Sequence, residues 1–265
     1  MKILWDNYLD DSTITATSEN SLYPVSNLTD KFLERKFQAV GTSSVVTVTF
    51  PEDRTVSMIA YGYNNVTTSD TIRLSKTATD TIRLSKTAVD TVRLSIPSDY
   101  TLKNSGGSVI STGQLSIGND VNITYLTPTV CRSIVFSFSA QSTMYVGGVA
   151  VGDPIEYDYI QVNPQLIASL RGDFQKTTGG QLVGRKTRLL REWRVTFPNL
   201  TNQERMDTME MLRAVGNFKP VFADIELYGD AEEAIYGNFE NGDVSFRRDS
   251  TAKTYSTGLT LQEAR

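Results

Sequence analysis

The segment VVTVTF at residues 45–50, followed by RTVSMIAYGY at 54–63, decides the fold class of this chain. In the first segment the side chains at 46, 48 and 50 are all apolar, and they alternate with a second set at 45, 47 and 49. Because successive side chains of a strand point to opposite faces, this alternation predicts a strand with one buried face. Further β-rich runs are NITYL (122–126), SIVFSFS (133–139) and MYVGGVAV (144–151), with turn residues between them. Several short strands separated by turns predict an antiparallel β-sandwich or barrel.

The character of the sequence changes after residue 152. The residues Gly152, Asp153 and Pro154 are typical of a hinge, so we place a boundary near 155 and predict one domain at 1–155 and another at 156–265. The second half contains strand patterns at 190–200 and 219–227, an Asn-Gly hairpin signal at 241–242 and a last strand pattern near the C-terminus. It is predicted to be a small β-rich domain.

A single helix is predicted in this second domain, at about 201–215. Thr201 and Glu204 have the spacing of a capping box, in which each side chain accepts a hydrogen bond from a backbone N–H at the start of a helix. Apolar residues follow at a spacing of three, at 206, 209, 212 and 215. Gly216 supplies the positive φ that commonly ends a helix.

The composition narrows the possible functions. Lys and Arg number 26 against 30 Asp and Glu, and the net charge of −4 argues against a nucleic-acid-binding surface. The chain has no histidine, which excludes Ser-His-Asp and Cys-His catalysis, and its one cysteine, Cys131, lies in a strand pattern typical of a buried, inert thiol. No P-loop or dinucleotide-binding motif is present. We therefore predict that the protein is not an enzyme and has no cofactor and no metal site.

We expect synthesis in a cytoplasm, without membrane insertion. The first residues, MKILWDNYLDD, turn acidic after five positions and lack the apolar region of a secretory signal. No segment approaches the roughly 20 apolar residues that a membrane-spanning helix needs.

The candidate binding residues are Tyr61, Tyr63, Asn64 and Asn65, in the segment AYGYNNV at 60–66. Tyrosine rings stack on the apolar faces of sugars, and amides hydrogen-bond to sugar hydroxyls, so this composition suits saccharide contact. The alternative, which the pattern favours, is a strand end that packs one tyrosine inward and is followed by an Asn-rich turn.

A ten-residue unit is repeated at 71–95, as TIRLSKTATD, TIRLSKTAVD and the shorter copy TVRLS. Because ten is even, each copy keeps the same inward and outward sets if it forms a strand, and Arg73, Arg83 and Arg93 then share the polar face. These arginines are candidate contacts to a glycan or a protein partner. We interpret the copies as a duplication within a surface loop, since doubling a loop costs only about 0.6 kcal/mol.

Two parts of the chain resemble phage tail proteins. The residues at 6–39, followed by VVTVTF, by VSMIAYGYNNV at 56–66 and by TIRLS, resemble the galactose-binding-like (discoidin-type) jelly rolls found in such proteins. The positions that match the pattern are Pro24, Asn27, Leu28, Ile59, Ala60 and Asn64. The residues at 191–225, with TGLTLQEAR at 257–265, resemble the β-barrel-plus-helix domain of distal-tail or baseplate proteins.

This resemblance implies a mainly β fold, with a jelly-roll sandwich followed by a β-barrel-like domain carrying one helix. It implies a structural role in the tail tip of a virion assembled in the host cytoplasm. Copies of the chain would form a ring of six between the tail tube protein and the tail-tip hub protein, with the sandwich directed toward side fibres or host glycans. The alternative function is a host-surface carbohydrate-binding, or receptor-binding, module of the tail.

A ring needs two different complementary faces on each subunit, because its contacts are heterologous. We expect the basic residues Arg185, Lys186 and Arg188 to face the acidic residues Glu232 and Glu233 of the neighbouring copy.

Overall fold

The computed structural model of the chain describes residues 1–66, 98–117, 121–157, 165–170, 174–176, 182–184, 189–225, 234–240, 244–249 and 253–264. In chain order, the first strands are β1 (Lys2–Leu4), β2 (Thr13–Ala16), β3 (Phe37–Gln38), β4 (Ser43–Asn64), β5 (Asp99–Lys103), β6 (Val109–Gln114), β7 (Val121–Ser139) and β8 (Tyr145–Gly152). They are followed by β9 (Ile155–Glu156), β10 (Gln165–Leu170), β11 (Phe174–Lys176), β12 (Leu182–Gly184), β13 (Leu189–Leu200), the helix α1 (Asn202–Val215), β14 (Val221–Asp224), β15 (Ala234–Phe239), β16 (Arg247–Arg248) and β17 (Tyr255–Glu263). The predicted fold class, mainly β with one helix near 201–215, is confirmed for these residues.

Strands β4 and β7 are long because each runs through both layers of a sandwich. The first half of β4 pairs with β2 and with the second half of β7, while its second half pairs with β8 and with the first half of β7. The β4–β7 register shifts between Thr49 and Arg54 and again between Val56 and Met58. Such irregularities bend a strand, so the chain passes from one layer to the other without leaving the sheet. The strands expected separately at 45–50 and 54–63 are therefore one strand.

The core of the sandwich lies between these two layers. Val46, Val48 and Phe50 are fully buried, as the alternation predicts, and they belong to the same apolar cluster as Ile59 from the second half of β4. Cys131 is also buried in this cluster, and burial, with a smaller effect of a neighbouring acidic group, raises the pKa of its thiol to about 11. The thiol is therefore protonated at neutral pH, in agreement with the predicted inert cysteine.

The second half of the chain forms a separate antiparallel sheet with the strand order β10-β13-β17-β15-β14-β1-β9. Strand β1, from the beginning of the chain, lies between β14 and β9 in this sheet. The described strands form an open sheet and not a closed barrel. The division at residue 155 stays a prediction, and the structure adds that Lys2–Leu4 pair with strands of the second half.

Helix α1 begins with the predicted capping box. The hydroxyl of Thr201 accepts a hydrogen bond from the N–H of Glu204 (3.2 Å), and the Glu204 carboxylate accepts one from the N–H of Thr201 (2.6 Å). The helix ends at Gly216, whose φ is 53° and whose N–H donates to the carbonyl of Leu212.

The buried face of α1 includes only some of the apolar residues at 206, 209, 212 and 215. The buried residues are Thr208, Met211 and Val215, whereas Met206 is 51% exposed. A spacing of three does not follow the helix period, because nine residues at about 100° each place positions 206 and 215 on opposite sides of the helix. Of the apolar residues at 206, 209, 212 and 215, Val215 is therefore buried and Leu212 packs against the same cluster, while Met206 lies outside the buried face.

The second sheet lies between α1 and the sandwich, and each of its faces is covered. On β1, Ile3 belongs to the cluster that includes Met211 of the helix, while the next residue, Leu4, belongs to a cluster with Met58 of β4. On β14, Phe222 joins the cluster on the sandwich side. The two halves of the molecule are thus joined by an apolar junction.

Candidate functional site

The four sequence-predicted residues at the end of β4 divide into one core residue and three near the surface. Tyr61 is fully buried, its ring packs beside Phe138 with centroids 6.4 Å apart, and its hydroxyl donates to the carbonyl of Ser116. Burial raises the pKa of this hydroxyl well above its usual range. Tyr61 is therefore part of the core, and its ring offers no face to a ligand from solvent.

Tyr63 has an unusual backbone conformation and an exposed ring. Its φ is 47°, in the left-handed region, and its side chain is 40% exposed. A bulky residue is rare in this region, which costs roughly 1–2 kcal/mol for an L-residue. The ring packs against Tyr145, the first residue of β8, with the centroids 5.6 Å apart. Backbone strain of this kind is often retained for function, so Tyr63 is a candidate binding residue.

Asn65 holds Tyr145 in place. Its side-chain oxygen accepts a hydrogen bond from the N–H of Tyr145 (2.8 Å). Its side-chain nitrogen donates to the carbonyl of Thr143 (2.8 Å) and to the hydroxyl of Ser142 (3.1 Å). These contacts occupy the amide with the protein itself, so Asn65 positions the neighbouring segment.

Asn64 retains an unused donor beside Tyr63. Its side-chain oxygen accepts a hydrogen bond from the N–H of Val66 (3.2 Å). Its Nδ2 is buried and has no hydrogen-bond partner among the residues that the structure describes. A buried donor without a partner is costly, but this nitrogen is shielded from solvent and does not face a ligand.

Two further residues, Tyr23 and Lys36, lie at the surface formed by Tyr63 and Tyr145. The Lys36 ammonium lies over the ring of Tyr145, 4.0 Å from its centroid, and 5.9 Å from the ring centroid of Tyr23. Tyr23 is 38% exposed and Lys36 is half-buried. We call Tyr23, Lys36, Tyr63 and Tyr145 the tyrosine cluster.

Strand pairing brings these residues together from four parts of the chain. Gln38 of β3 pairs with Tyr145 of β8, and its N–H donates to the carbonyl of Tyr23 (3.1 Å). The end of β4 pairs with β8 through Asn64 and Val146. Sequence reasoning missed Tyr23 and Lys36 because no local pattern gives the register of β3 on β8.

Gly147 allows the chain segments of the site to approach closely. A Cβ atom at this position would lie 2.4 Å from the carbonyl oxygen of Leu33 and 2.9 Å from that of Gly62. It would also lie 3.0 Å from the Cβ of Tyr63. Backbone atoms at these distances cannot yield easily, so glycine is required beside the cluster.

A cavity at the junction of the two halves is too small for a saccharide. It has a volume of about 60 Å³, and its walls include Trp5, Asp10 and Lys219. Asp10 and Lys219 form an ion pair at 2.8 Å. Since a water molecule occupies about 30 Å³ in the liquid, this space suits a few waters.

The other candidate contact residues, and one predicted turn, lie outside the described residues. They are Arg73, Arg83 and Arg93 of the repeat at 71–95, the basic group Arg185, Lys186 and Arg188, the acidic pair Glu232 and Glu233, and the Asn-Gly hairpin signal at 241–242. Within the described part of the chain, no group of three or more His, Cys, Asp or Glu side chains is arranged to hold a metal ion. In the same residues no helix has the length and apolar character needed to cross a membrane.

Comparison with solved structures finds carbohydrate-binding modules. The family 32 module of Clostridium perfringens NanJ in complex with galactose is 15% identical over 57% of this chain and 98% of its own, with a TM-score of 0.39. A fucose-binding module of Streptococcus pneumoniae is 12% identical over 56% and 94%, also with a TM-score of 0.39. The lectin domain of lectinolysin with Lewis b antigen is 10% identical over 55% and 95%, with a TM-score of 0.39. No family model and no curated protein matches the sequence.

Proposed function

We propose that this protein binds carbohydrate on a host surface through the tyrosine cluster. The observation that carries the proposal is Tyr63, whose ring is exposed at the end of β4 although its backbone is held at a φ of 47°. The contact of this ring with Tyr145 offsets part of the backbone cost, and the residue still remains 40% exposed. Contact with a ligand is a further reason to keep an aromatic side chain in this conformation.

The chemistry of the cluster suits a sugar. The C–H face of a pyranose is apolar and can cover an aromatic ring, and the rings of Tyr23 and Tyr63 are each more than one third exposed. Sugar hydroxyls both donate and accept hydrogen bonds, and the ammonium of Lys36 supplies a donor within the cluster. Asn65 and Gly147 support the site by fixing Tyr145 and by allowing close approach of the backbones.

A glycan array with the full chain tests this proposal. Galactose-, fucose- and Lewis b-containing glycans are the first probes, within a broad panel of bacterial and animal surface saccharides. We expect binding by the wild type and a loss of roughly tenfold in Tyr63→Ala, since one stacked ring contributes about 1–2 kcal/mol.

The matched control is Phe218→Ala. Phe218 is an aromatic residue that is 86% exposed, and it lies after α1 in the other half of the molecule. This variant should bind like the wild type. Equal binding by Tyr63→Ala and wild type, or a flat array with the wild type, would contradict the proposal.

A structural role in a phage tail tip is the second candidate function. The observation that favours it is the order of β13, α1 and β14, which is the arrangement on which the resemblance to the distal-tail domain rests. In this proposal six copies form a ring between the tail tube protein and the tail-tip hub protein of a virion. The sandwich then carries the tyrosine cluster outward, toward side fibres or the host.

Charge reversal tests the ring. Replacing Arg185, Lys186 and Arg188 by glutamate should abolish higher-order assembly in analytical ultracentrifugation, and replacing Glu232 and Glu233 by lysine in the same chain should restore it. Intact assembly after the first replacement would contradict this interface. The result expected from the glycan array does not depend on whether the ring assembles.

A further inference from the structure

We propose that the tyrosine cluster prefers saccharides with an anionic ring substituent, and that Lys36 determines this preference. The inference rests on the carbohydrate binding proposed above, and it adds the class of sugar. It is based on the position of one ammonium group, which lies over the ring of Tyr145 and within 5.9 Å of the ring centroid of Tyr23.

Among the residues that the structure describes, the ammonium of Lys36 has no counter-ion, and it lies near the rings of Tyr145 and Tyr23. The carboxylate of Asp30, six residues before Lys36 in the chain, is engaged with the guanidinium of Arg35 (3.2 Å) and the N–H of Phe32 (2.9 Å). Glu19, in the loop before Tyr23, accepts a hydrogen bond from the N–H of Val25 (2.9 Å). The charge at the centre of the cluster is therefore available to a ligand.

The aromatic rings fix where this charge lies relative to a bound sugar. Tyr145 contacts both the ammonium of Lys36, which lies 4.0 Å from its ring centroid, and the ring of Tyr63, whose centroid is 5.6 Å away. A pyranose that covers Tyr23, whose ring centroid is 5.9 Å from the ammonium, thus brings its ring substituents close to the charge. A cation–π contact of this kind also restrains an otherwise flexible lysine side chain.

The cost of removing water from the Lys36 ammonium decides which substituent of the sugar is favoured. A neutral sugar that covers a half-buried ammonium removes water from it and offers only hydroxyl groups in return. A carboxylate or phosphate oxygen forms a charge-assisted hydrogen bond, which is about twice as strong as a neutral one. The difference is expected to be about tenfold or more in affinity.

Three sugars that differ only at carbon 6 provide the test: galactose, galacturonic acid and galactose 6-phosphate. Binding to the full-length protein is measured by NMR titration. We expect one or both of the anionic sugars to bind at least about tenfold more tightly than galactose, and the comparison of the two identifies carboxylate or phosphate as the preferred group.

The variants assign this preference to Lys36. Lys36→Gln should bind all three sugars with the affinity of galactose, and Lys36→Arg should keep most of the preference because it keeps the charge. Lys103→Gln is the matched control. Lys103 is also half-buried, but it is the last residue of β5, and the cluster is nearer to the first residue of that strand. This variant should behave like the wild type.

The possible failures are distinguishable. If galactose binds as tightly as its anionic analogues, or if Lys36→Gln keeps the preference, the inference is overturned while carbohydrate binding stands. If none of the three sugars binds, and the glycan array is flat, the proposed function fails together with the inference.

Discussion

Tyr63 combines an unfavourable backbone conformation with an exposed ring. It is one of two non-glycine residues with positive φ in the described part of the chain, the other being Lys253. Asparagine adopts the left-handed conformation more readily than tyrosine, because its short polar side chain can hydrogen-bond locally. A substitution at position 63 can therefore change the affinity for glycan without an equal change in the free energy of unfolding.

We expect Tyr63→Asn to change the free energy of unfolding by no more than about 1 kcal/mol, because relief of the backbone offsets the lost contact with Tyr145. Glycan binding should weaken by roughly tenfold, as in Tyr63→Ala, because the stacking ring is gone. Tyr63→Phe keeps the ring and should keep most of the binding. Urea unfolding and NMR titration measure the two effects. A Tyr63→Asn protein that binds as the wild type does would remove Tyr63 from the site.

Tyr157 supplies a pH-dependent contribution to stability. Its hydroxyl is buried and hydrogen-bonded to the hydroxyl of Thr208 on α1 (2.9 Å). Burial raises its pKa from 10.0 to about 12, so the unfolded chain loses the proton before the folded chain does. This contribution is complete below pH 10 and is lost as the pH rises through 12.

Between pH 9 and pH 11 the wild type should lose about 1 kcal/mol more stability than Tyr157→Phe, which has no proton to lose at this position. Urea unfolding at the two pH values measures this difference. The other buried tyrosines are common to both proteins and cancel in the comparison. An identical pH dependence in the two proteins would contradict the assignment.

At the scale of elements, the ends of the segment that contains the repeat are held side by side. Val66 pairs with Ala140, and the hydroxyl of Ser98 accepts a hydrogen bond from the N–H of Ser139 (3.1 Å). Residues 140 and 139 are adjacent, so the sandwich fixes both ends whatever the length of chain between them. This arrangement is what a loop insertion requires.

Deletion of residues 81–90, one copy of the repeat, should therefore leave a soluble protein whose free energy of unfolding is within about 1 kcal/mol of the wild type. The matched control is a ten-residue deletion of 101–110, which removes most of β5 and the start of β6 and should prevent folding. Solubility and circular dichroism measure both. Loss of folding in the first deletion would show that the copies are part of the core structure.

Local patterns predicted some elements well and others poorly, for physical reasons. The capping box and Gly216 each act within a few residues of the helix end that they define, so the limits of α1 were predictable. The continuity of β4 was not predictable, because a bulge and a loop contain the same kinds of residues and differ only in the pairing of the partner strand.

The residues of the candidate site also divide into those that local sequence predicted and those that it did not. Tyr63 and Asn64 were identified from composition, whereas Lys36 depends on long-range strand register.

At the scale of the whole molecule, the apolar junction makes the two halves depend on each other. Phe222 is 4% exposed, and its ring packs against that of Tyr236 with centroids 4.6 Å apart. The hydroxyl of Tyr236 donates to the carbonyl of Lys31 in the sandwich (2.8 Å). The ion pair of Asp10 and Lys219 is partly exposed and contributes little beside this packing.

Phe222→Ala should lower the free energy of unfolding by about 3–5 kcal/mol, since it leaves a cavity in the junction. Phe218→Ala, four residues earlier and 86% exposed, should have almost no effect. Denaturant unfolding followed by tryptophan fluorescence and by circular dichroism measures both variants, and the two probes should give one transition in the wild type. Equal stability of the two variants would contradict a structural role for the junction.

The central claim is that the tyrosine cluster is the place where carbohydrate binds. The most direct test is NMR of the full chain with isotope-labelled tyrosine rings, titrated with the saccharide that binds best on the array. The ring signals of Tyr23, Tyr63 and Tyr145 should shift on binding, while those of the buried Tyr157 and of Tyr125, which is 40% exposed elsewhere, should not. Saturable binding that shifts other rings and leaves Tyr63 and Tyr145 unchanged would contradict it.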